Sequence, residues 1–384
     1  MYQNDNPGLF HSQWTALHLP EVRNILQQER DWFNTLNEGQ LNEFLLSKKT
    51  DDLVGLLNKC HRNSEITNIG GLVYIPENYE IVAATDLHGD IHALDKIIKS
   101  SGFEEKISDN RQVVLVIMGD FVDRGEYSFE VTKKLFQLKR NYKDNVIIMK
   151  ADHEEHFYRD YDGSIPPKKG GRGVLKPGTE PCEFVELLLI ACLPYADAPA
   201  GRDAGFEKVV DLYLNTFTKL PYLVFHNNTI ITHSALPRNL QRIGQLINLE
   251  YPLTNIFSKE NMELLDIYWT DLDTNIQDTA ISTRGYTELI KASPKKFGEW
   301  LDSLGVKRLI RGHQYTALKY DTHGNLKPVA YDLIEVDEVQ IITFHSNQAY
   351  YATRSAYNEG SYLQISPGGT IRVRGVDSGV EIEL

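Results

Sequence analysis

Short apolar runs separated by longer mixed segments dominate the middle of the chain. The runs are rich in Val and Ile and occupy residues 80–85, 112–118, 145–149, 228–232 and 307–310. Continuous apolar runs of this length are typical of strands that are buried on both faces. The first three are separated by HALDKIIKSSGF and YSFEVTKKLFQLKRN, whose apolar spacing is typical of helices. This alternation predicts an α/β core.

The regions on either side of this core have other patterns. Residues 1–75 are rich in helix formers with apolar residues three and four apart, which predicts an N-terminal helical region packed on the rest of the chain. Beyond residue 310, the runs VQIITF, AYYATR, SYLQIS and TIRVRG predict antiparallel hairpins. We therefore expect a main domain at residues 76–376, interrupted by an insertion at about 157–205, and a tail at 377–384.

The composition indicates the class of the protein and its cellular compartment. The 384 residues, 41% hydrophobic and 24% charged, are those of an ordinary globular protein. No apolar run approaches the roughly 20 residues that span a bilayer, and the N-terminal residues show no secretory signal. Three cysteines, Cys60, Cys182 and Cys192, favour a reducing compartment over a disulfide framework. We expect a cytoplasmic protein.

The net charge of −13 limits the partners of the protein. A surface of this sign repels nucleic-acid backbones, so nucleic acid is not an expected partner. An anionic substrate would need a local positive charge, which metal ions could supply. Residues 164–178 of the insertion are basic, with Lys168, Lys169, Arg172 and Lys176. A substrate-docking loop or lid and a merely solvated loop are both open interpretations of this segment.

Aspartate and histidine follow each of the five predicted strands, in the segments TDLHGD, GDFVDRG, ADHEEH, THSA and RGH. Each segment alone could be a turn or a helix cap, since Asp is a good N-cap residue. Loops at the carboxyl ends of neighbouring strands meet in one crevice, however, which would bring these side chains together. Imidazole and carboxylate without thiolate suit manganese, iron or zinc. The set therefore predicts a centre for two divalent metal ions.

In this order the five segments resemble the phosphoprotein phosphatase (PPP) family of metallophosphatases, whose motifs are GDxHG, GDxVDRG, GNHE, HGG and R-[AG]-H. The segments LLDIYWTDLD (264–273), TRGY (283–286) and HSNQAYY (345–351) are similar to further PPP segments, so the resemblance covers about residues 40–375. It implies the calcineurin-like metallophosphoesterase fold, a two-sheet α/β sandwich flanked by helices, with the catalytic domain at 76–376. The divergence from the eukaryotic pattern raises the further hypothesis of a bacterial protein that acts in a host cell.

The resemblance implies two divalent metal ions, with manganese expected and iron or zinc as alternatives. Asp86 and His88 would bind the first ion, and Asp120 would bridge both. The ligands that complete the second ion would be Asp152, His233 and His313.

The remaining catalytic roles also come from the resemblance, supported by chemistry. His153 would be the general acid that protonates the leaving oxygen, oriented by Asp123. Arg124 and Arg284 would hold the phosphate oxygens, because a planar guanidinium binds two of them at once. Tyr350 matches the active-site tyrosine of the family.

Several neighbouring residues are interpreted as supporting ones. Arg311 is a weaker candidate for phosphate contact than Arg124 and Arg284, and its alternative role is to support the site. Glu154 is expected to orient its loop. The segment DLDT (271–274) is interpreted as structural, and His156 has no assigned role.

The reaction implied is direct attack of a metal-bridging hydroxide on a phosphomonoester of a phosphorylated protein, carried on Ser/Thr or Tyr. The cysteine-dependent route is excluded, since no cysteine is followed by arginine in a C-x5-R loop. Two alternatives are kept: a hydrolase of dinucleotide polyphosphates, and a non-catalytic binding scaffold on the same fold.

Three departures from the PPP pattern stand out: Thr85 replaces the first Gly of GDxHG, Asp152 replaces the Asn of GNHE, and Ser234-Ala235 replace the two Gly of HGG. The second changes the charge of the centre. Two divalent ions are balanced by Asp86, Asp120, Asp152 and one hydroxide, whereas an amide at 152 leaves a net positive charge.

We therefore predict that Asp152→Asn weakens metal retention, because one negative ligand is lost. Metal titration of the wild type and the variant measures this. A metal affinity that does not fall in the variant would contradict the charge argument.

Deleting residues 164–178 is expected to lower activity on a phosphopeptide more than on a small aryl phosphate, because only the longer substrate can reach a docking loop. Comparing kcat/KM for the two substrates tests this. An equal loss on both would favour the solvated-loop interpretation.

Overall fold

A computed structural model describes most of the main domain. The described residues are 64–69, 71–155, 220–239, 265–282, 289–314, 329–347 and 359–384, with isolated helical positions at 24, 25, 27, 28, 184, 213, 216 and 217.

The strands are short and numerous. In chain order they are β1 (Thr67–Ile69), β2 (Leu72–Tyr74), β3 (Glu80–Ala84), β4 (Val113–Ile117), β5 (Val146–Ile148), β6 (Leu223–His226), β7 (Thr229–Thr232), β8 (Asp271–Leu272), β9 (Thr279–Ile281), β10 (Ile290–Ala292), β11 (Arg308–Arg311), β12 (Tyr331–Val336), β13 (Val339–Phe344), β14 (Ser361–Ile365), β15 (Ile371–Gly375) and β16 (Glu381–Glu383). The α-helices are α1 (Ile91–Ser101), α2 (Phe103–Ser108), α3 (Ser128–Tyr142), α4 (Asp152–Glu155), α5 (Asp266–Trp269) and α6 (Pro294–Ser303), and a 3₁₀ turn, Lys143–Asn145, precedes β5.

The strands form two large sheets and one small one. The first has the order β16-β15-β14-β3-β4-β5, and the second has the order β1-β2-β6-β7-β11-β13-β12. The third has the order β8-β10-β9. Strands β3, β4 and β5 run parallel, as do β7, β11 and β13, so that each large sheet has a parallel centre. The carboxyl ends of these parallel strands carry the site.

The two large sheets pack face to face with helices outside. On β3, Ile81 and Ala83 belong to the apolar cluster between the sheets, while Val82 and Ala84 belong to the cluster that includes α1 and α3. On the other sheet, Leu309 packs in the cluster that includes α6. Alternate side chains therefore serve two buried faces, which explains why these strands are apolar throughout.

Local sequence explains the helix that follows β3. The side chain of Asp90 accepts a hydrogen bond from the backbone N–H of Ala93 (2.9 Å) and caps α1. Gly102 ends α1 at a φ of 64°, where glycine has no steric cost. Asp90, which lies in the first predicted metal segment, thus serves the helix.

The predicted two-sheet sandwich is confirmed, and two boundaries differ from expectation. Residues 377–384 are not a tail, because β16 pairs with β15 and its Glu381 and Glu383 form ion pairs with Arg372 and Arg374. The predicted helical region does not extend to residue 75, because β1 and β2 join the seven-stranded sheet. Most of the rest of that region and nearly all of the 157–205 insertion lie outside the described residues.

No helix among the described residues is both long enough and apolar enough to cross a membrane.

Candidate active site

The loops after β3 and β4 are held together by backbone hydrogen bonds, and the loop after β5 packs closely against the loop after β4. The N–H of Asp86 donates to the carbonyl of Gly119 (3.2 Å), and that of His88 donates to the carbonyl of Asp120 (2.8 Å). A Cβ on Gly119 would lie 2.3 Å from the Cβ of Ala151, so this position requires glycine. The GD and AD motifs therefore fix the spacing of the loops as well as supply ligands.

An unusual backbone conformation recurs in these loops. Positive φ values occur at Asp86, His88, Asp120, Asp123, Arg124 and His313. Residues with a Cβ rarely adopt this conformation, which costs about 1–2 kcal/mol each. Its concentration at one place indicates that the fold tolerates strain there in order to aim the side chains.

The structure brings all six predicted metal ligands together. The His88 Nε2 atom lies 3.6 Å from the Asp120 Oδ2 atom and 4.0 Å from the Asp86 Oδ1 atom. The His233 Nε2 atom lies 3.4 Å from Asp120 and 3.0 Å from Asp152, and the His313 Nδ1 atom lies 3.4 Å from Asp152. Asp120 is thus the carboxylate shared by the two halves of the cluster, as a bridging ligand must be.

Hydrogen bonds to the backbone orient two of the imidazoles. The Nδ1 atom of His88 lies 3.1 Å from the carbonyl of Val122, and that of His233 lies 3.1 Å from the carbonyl of Met118. Each Nδ1–H therefore donates outward, which turns Nε2 toward the carboxylates. Burial, and then the guanidinium of Arg124, lower the pKa of His88 well below its ordinary value, so the imidazole is neutral and able to coordinate.

The donor set fits divalent metal ions. The carboxylates of Asp86, Asp120 and Asp152 are buried, and their oxygens lie among imidazole nitrogens in groups spanning no more than 4.8 Å. Gathering three carboxylates in a low-dielectric interior is costly unless cations neutralise them. Oxygen and imidazole nitrogen without sulfur suit manganese, iron or zinc. The cluster therefore fits the two ions that the sequence predicted.

His153 lies at the edge of the cluster and contacts both Asp123 and His88. Its Nδ1 atom lies 2.9 Å from the Oδ2 atom of Asp123, and its ring lies edge-on to that of His88 with centroids 4.9 Å apart. Burial lowers the pKa of His153, but Asp120, Asp123 and Asp152 outweigh burial and raise the pKa to about 9. The other oxygen of Asp123 accepts the N–H of Phe184 (2.8 Å). The carboxylate that orients His153 is therefore itself fixed from two sides.

Of the residues predicted to hold phosphate, the described part of the chain contains one. The Nη1 atom of Arg124 lies 2.9 Å from the Nε2 atom of His88, so this guanidinium stands at the cluster. Arg284 and Tyr350 lie outside the described residues, and their roles stay predictions.

Arg311 is buried and committed to neighbouring loops. Its Nε atom donates to the carbonyl of Ser234 (2.6 Å), Nη2 to that of Thr270 (3.1 Å) and Nη1 to the side chain of Gln314 (2.6 Å). These bonds tie the loops that carry His233, Asp271 and His313, which favours the supporting interpretation. Ser234, one of the departures from the PPP pattern, takes part by donating its hydroxyl to Thr270 (2.5 Å).

Glu154 orients the loops, as its sequence position suggested. Its Oε2 atom accepts the N–H groups of Asp120 and Ala151, and its Oε1 atom accepts that of Phe121, each at 3.0 Å. One buried carboxylate therefore holds the two loops that carry Asp120 and Asp152.

The sequence interpretation missed one acidic neighbour. Asp271, in the segment considered structural, places Oδ1 3.7 Å from the Nε2 atom of His313. His313 turns its Nδ1 atom to the cluster, so Asp271 faces its outer nitrogen. The similarity of WTD to the family's WSD turn was the available signal, but spacing alone could not reveal the contact.

Comparison with known proteins defines the class. Residues 79–317 match the family of calcineurin-like phosphoesterases, and the chain belongs to that family. The protein is therefore a metallophosphoesterase.

The PPP resemblance is confirmed by relatives at low identity. The chain is 24% identical over 241 residues to the serine/threonine-protein phosphatase 6 catalytic subunit of Caenorhabditis elegans, covering 62% of this chain and 60% of that one. It is 23% identical over 232 residues to the serine/threonine-protein phosphatase BSL2 of Arabidopsis thaliana, covering 60% of this chain and 20% of that one. The matches thus span less than two thirds of the length of either relative.

A solved structure supports the fold. A protein serine/threonine phosphatase from Saccharomyces cerevisiae with similarity to human phosphatase PP5 superposes with a TM-score of 0.53 at 16% identity. The superposition covers 86% of each chain. At this identity the likeness concerns the fold alone.

We predict that Glu154→Gln destabilises the protein by about 1–3 kcal/mol, because an amide has one acceptor oxygen where three backbone N–H groups converge. Chemical denaturation of the metal-free protein measures this. Glu105→Gln provides the matched control, since it makes the same change at an exposed glutamate of α2. An unchanged stability of the Glu154 variant would contradict the orienting role.

Proposed function

We propose that the protein is a metal-dependent protein phosphatase that hydrolyses phosphomonoesters on phosphorylated Ser/Thr or Tyr. The observation that carries the proposal is the pairing of His153 with Asp123 (2.9 Å) directly beside the six-ligand cluster. A metal site alone needs no proton donor. A donor held by a carboxylate at its edge suits the departure of an alkoxide from phosphate.

Bound at this centre, two divalent ions would neutralise phosphate charge and supply hydroxide at neutral pH. Asp86 and His88 would hold one ion, Asp152, His233 and His313 the other, and Asp120 both. The side chains of this chain perform the remaining work. Arg124 and Arg284 bind the phosphate oxygens and align the ester.

His153 gives the proton on its Nε2 atom to the leaving oxygen of the serine, threonine or tyrosine. Asp123 accepts the hydrogen bond from Nδ1 and stabilises the imidazolium before that transfer. Both residues are buried, so water does not compete with the ester oxygen for the proton.

A phosphorylated protein is the proposed partner, with docking through the basic residues 164–178. Manganese is the proposed metal, with iron or zinc as alternatives. The acidic charge elsewhere on the chain would favour a substrate with basic residues around the phosphorylated one.

The test is a panel of phosphoserine, phosphothreonine and phosphotyrosine peptides against diadenosine tetraphosphate. The chelated protein is reconstituted in turn with manganese, iron and zinc. We expect phosphate release from at least one peptide class, with a higher kcat/KM than for the dinucleotide. His153→Asn should lower kcat by about 10²–10⁴-fold, which separates the protein's own activity from a contaminant.

Faster cleavage of diadenosine tetraphosphate would overturn the proposal in favour of a polyphosphate hydrolase. Absence of turnover with every metal and every phosphomonoester would instead indicate a binding scaffold.

A further inference from the structure

Thr85 stands where the PPP pattern has glycine and is the last residue before the first metal-site aspartate. It is fully buried. Its N–H donates to the hydroxyl of Ser346 (3.1 Å), and its carbonyl accepts the N–H of Ser346 (3.0 Å). The Ser346 hydroxyl in turn donates to the carbonyl of Ser361 (2.7 Å). The backbone of Thr85 is therefore fixed, and its side chain has a defined direction.

That side chain donates to a predicted metal ligand. The Thr85 Oγ1 atom lies 2.8 Å from the Oδ2 atom of Asp86. The same Oδ2 atom accepts the backbone N–H of His313 (3.1 Å). One carboxylate oxygen thus receives two hydrogen bonds, one from each of the two large sheets' loops.

The other oxygen of Asp86 faces the cluster. Its Oδ1 atom lies 4.0 Å from the Nε2 atom of His88, the nitrogen that the Val122 carbonyl leaves with a lone pair. With Oδ2 engaged by two donors, Asp86 offers Oδ1 to a metal ion. The two hydrogen bonds to Oδ2 hold the carboxylate in this orientation.

The fit around Oδ2 is close. A Cβ on Gly312 would lie 2.2 Å from the Asp86 Oδ2 atom and 2.3 Å from the Thr85 Oγ1 atom. The glycine of RGH therefore leaves the space in which the Thr85 hydroxyl and the His313 N–H reach the same oxygen.

We propose that Thr85 is a positioning residue, absent from the PPP pattern, whose hydroxyl fixes Asp86 for binding of a divalent metal ion through Oδ1. The proposal rests on the proposed metal centre and adds a residue to it. Hydrogen-bond partners of metal ligands set ligand orientation, and their loss weakens binding by about 10–100-fold.

The experiment titrates manganese into chelated protein and follows free Mn²⁺ by electron paramagnetic resonance, without an activity assay. Thr85→Val keeps the shape and removes the hydroxyl, and it should weaken one of two bound ions about 10-fold or more. Thr85→Ser keeps the donor and should restore wild-type affinity. If the valine variant fails to fold, Thr85→Ala against Thr85→Ser makes the same comparison.

Thr232→Val is the matched control. Thr232 is also fully buried and also directly precedes a predicted ligand, His233. Its hydroxyl donates to the carbonyls of Tyr222 and Ala235 (3.4 Å each) rather than to a ligand. This variant should retain wild-type affinity for manganese.

Unchanged manganese affinity in Thr85→Val, or an equal loss in Thr232→Val, overturns the proposal, as does wild-type protein that binds no manganese. Wild-type protein that binds two ions yet hydrolyses no phosphomonoester overturns the proposed function and leaves the role of Thr85 standing. If wild-type protein hydrolyses phosphopeptides while the Thr85→Val variant keeps wild-type manganese affinity, the proposed function stands and the role of Thr85 is overturned.

Discussion

Three carboxylates gathered in the interior are the constraint on which the rest of the site depends. Asp86, Asp120 and Asp152 are each no more than 2% exposed. Their mutual repulsion in a medium of low dielectric is large, and cations must offset it. The surrounding residues hold the carboxylates in place against this repulsion. Burial, and then the charge of Asp120, raise the pKa of Glu154 to about 8, and three backbone N–H groups converge on its carboxyl group.

The architecture brings these groups together from two directions. Asp86, His88, Asp120 and Asp152 follow strands of the six-stranded sheet, while His233 and His313 follow strands of the seven-stranded sheet. The centre therefore lies where the carboxyl ends of the two sheets meet, above the apolar layer between them. Arg311 and Glu154 each join loops within one of these halves, and Asp86 joins the halves to each other through the His313 N–H.

The sequence predicted the parts of the molecule that local pattern determines. The continuous apolar runs became β3, β4, β5, β7 and β11, because strands with two buried faces need apolar side chains throughout. The order of Asp and His after these runs predicted which side chains would meet. Strand β16 was missed, because its glutamates, Glu381 and Glu383, are stabilised in a strand by pairing with Arg372 and Arg374 of β15. That pairing is not visible in the local sequence. Asp271 was missed for a related reason, since its contact with His313 joins distant parts of the chain. The identity of the two donors to Asp86 could not be predicted either, because neither spacing nor composition encodes the direction of a hydroxyl group.

The hydrogen bond from His313 to Asp86 has a mechanical consequence. It spans 3.1 Å between a loop of one sheet and a carboxylate of the other. A slide of one sheet past the other by about one ångström would break this bond, since hydrogen bonds weaken steeply beyond their normal length. The two groups of ligands would then no longer face each other. The geometry of the centre is therefore sensitive to the relative position of the two sheets. A distortion in the apolar layer would disturb the arrangement of the ligands before it disrupted the fold.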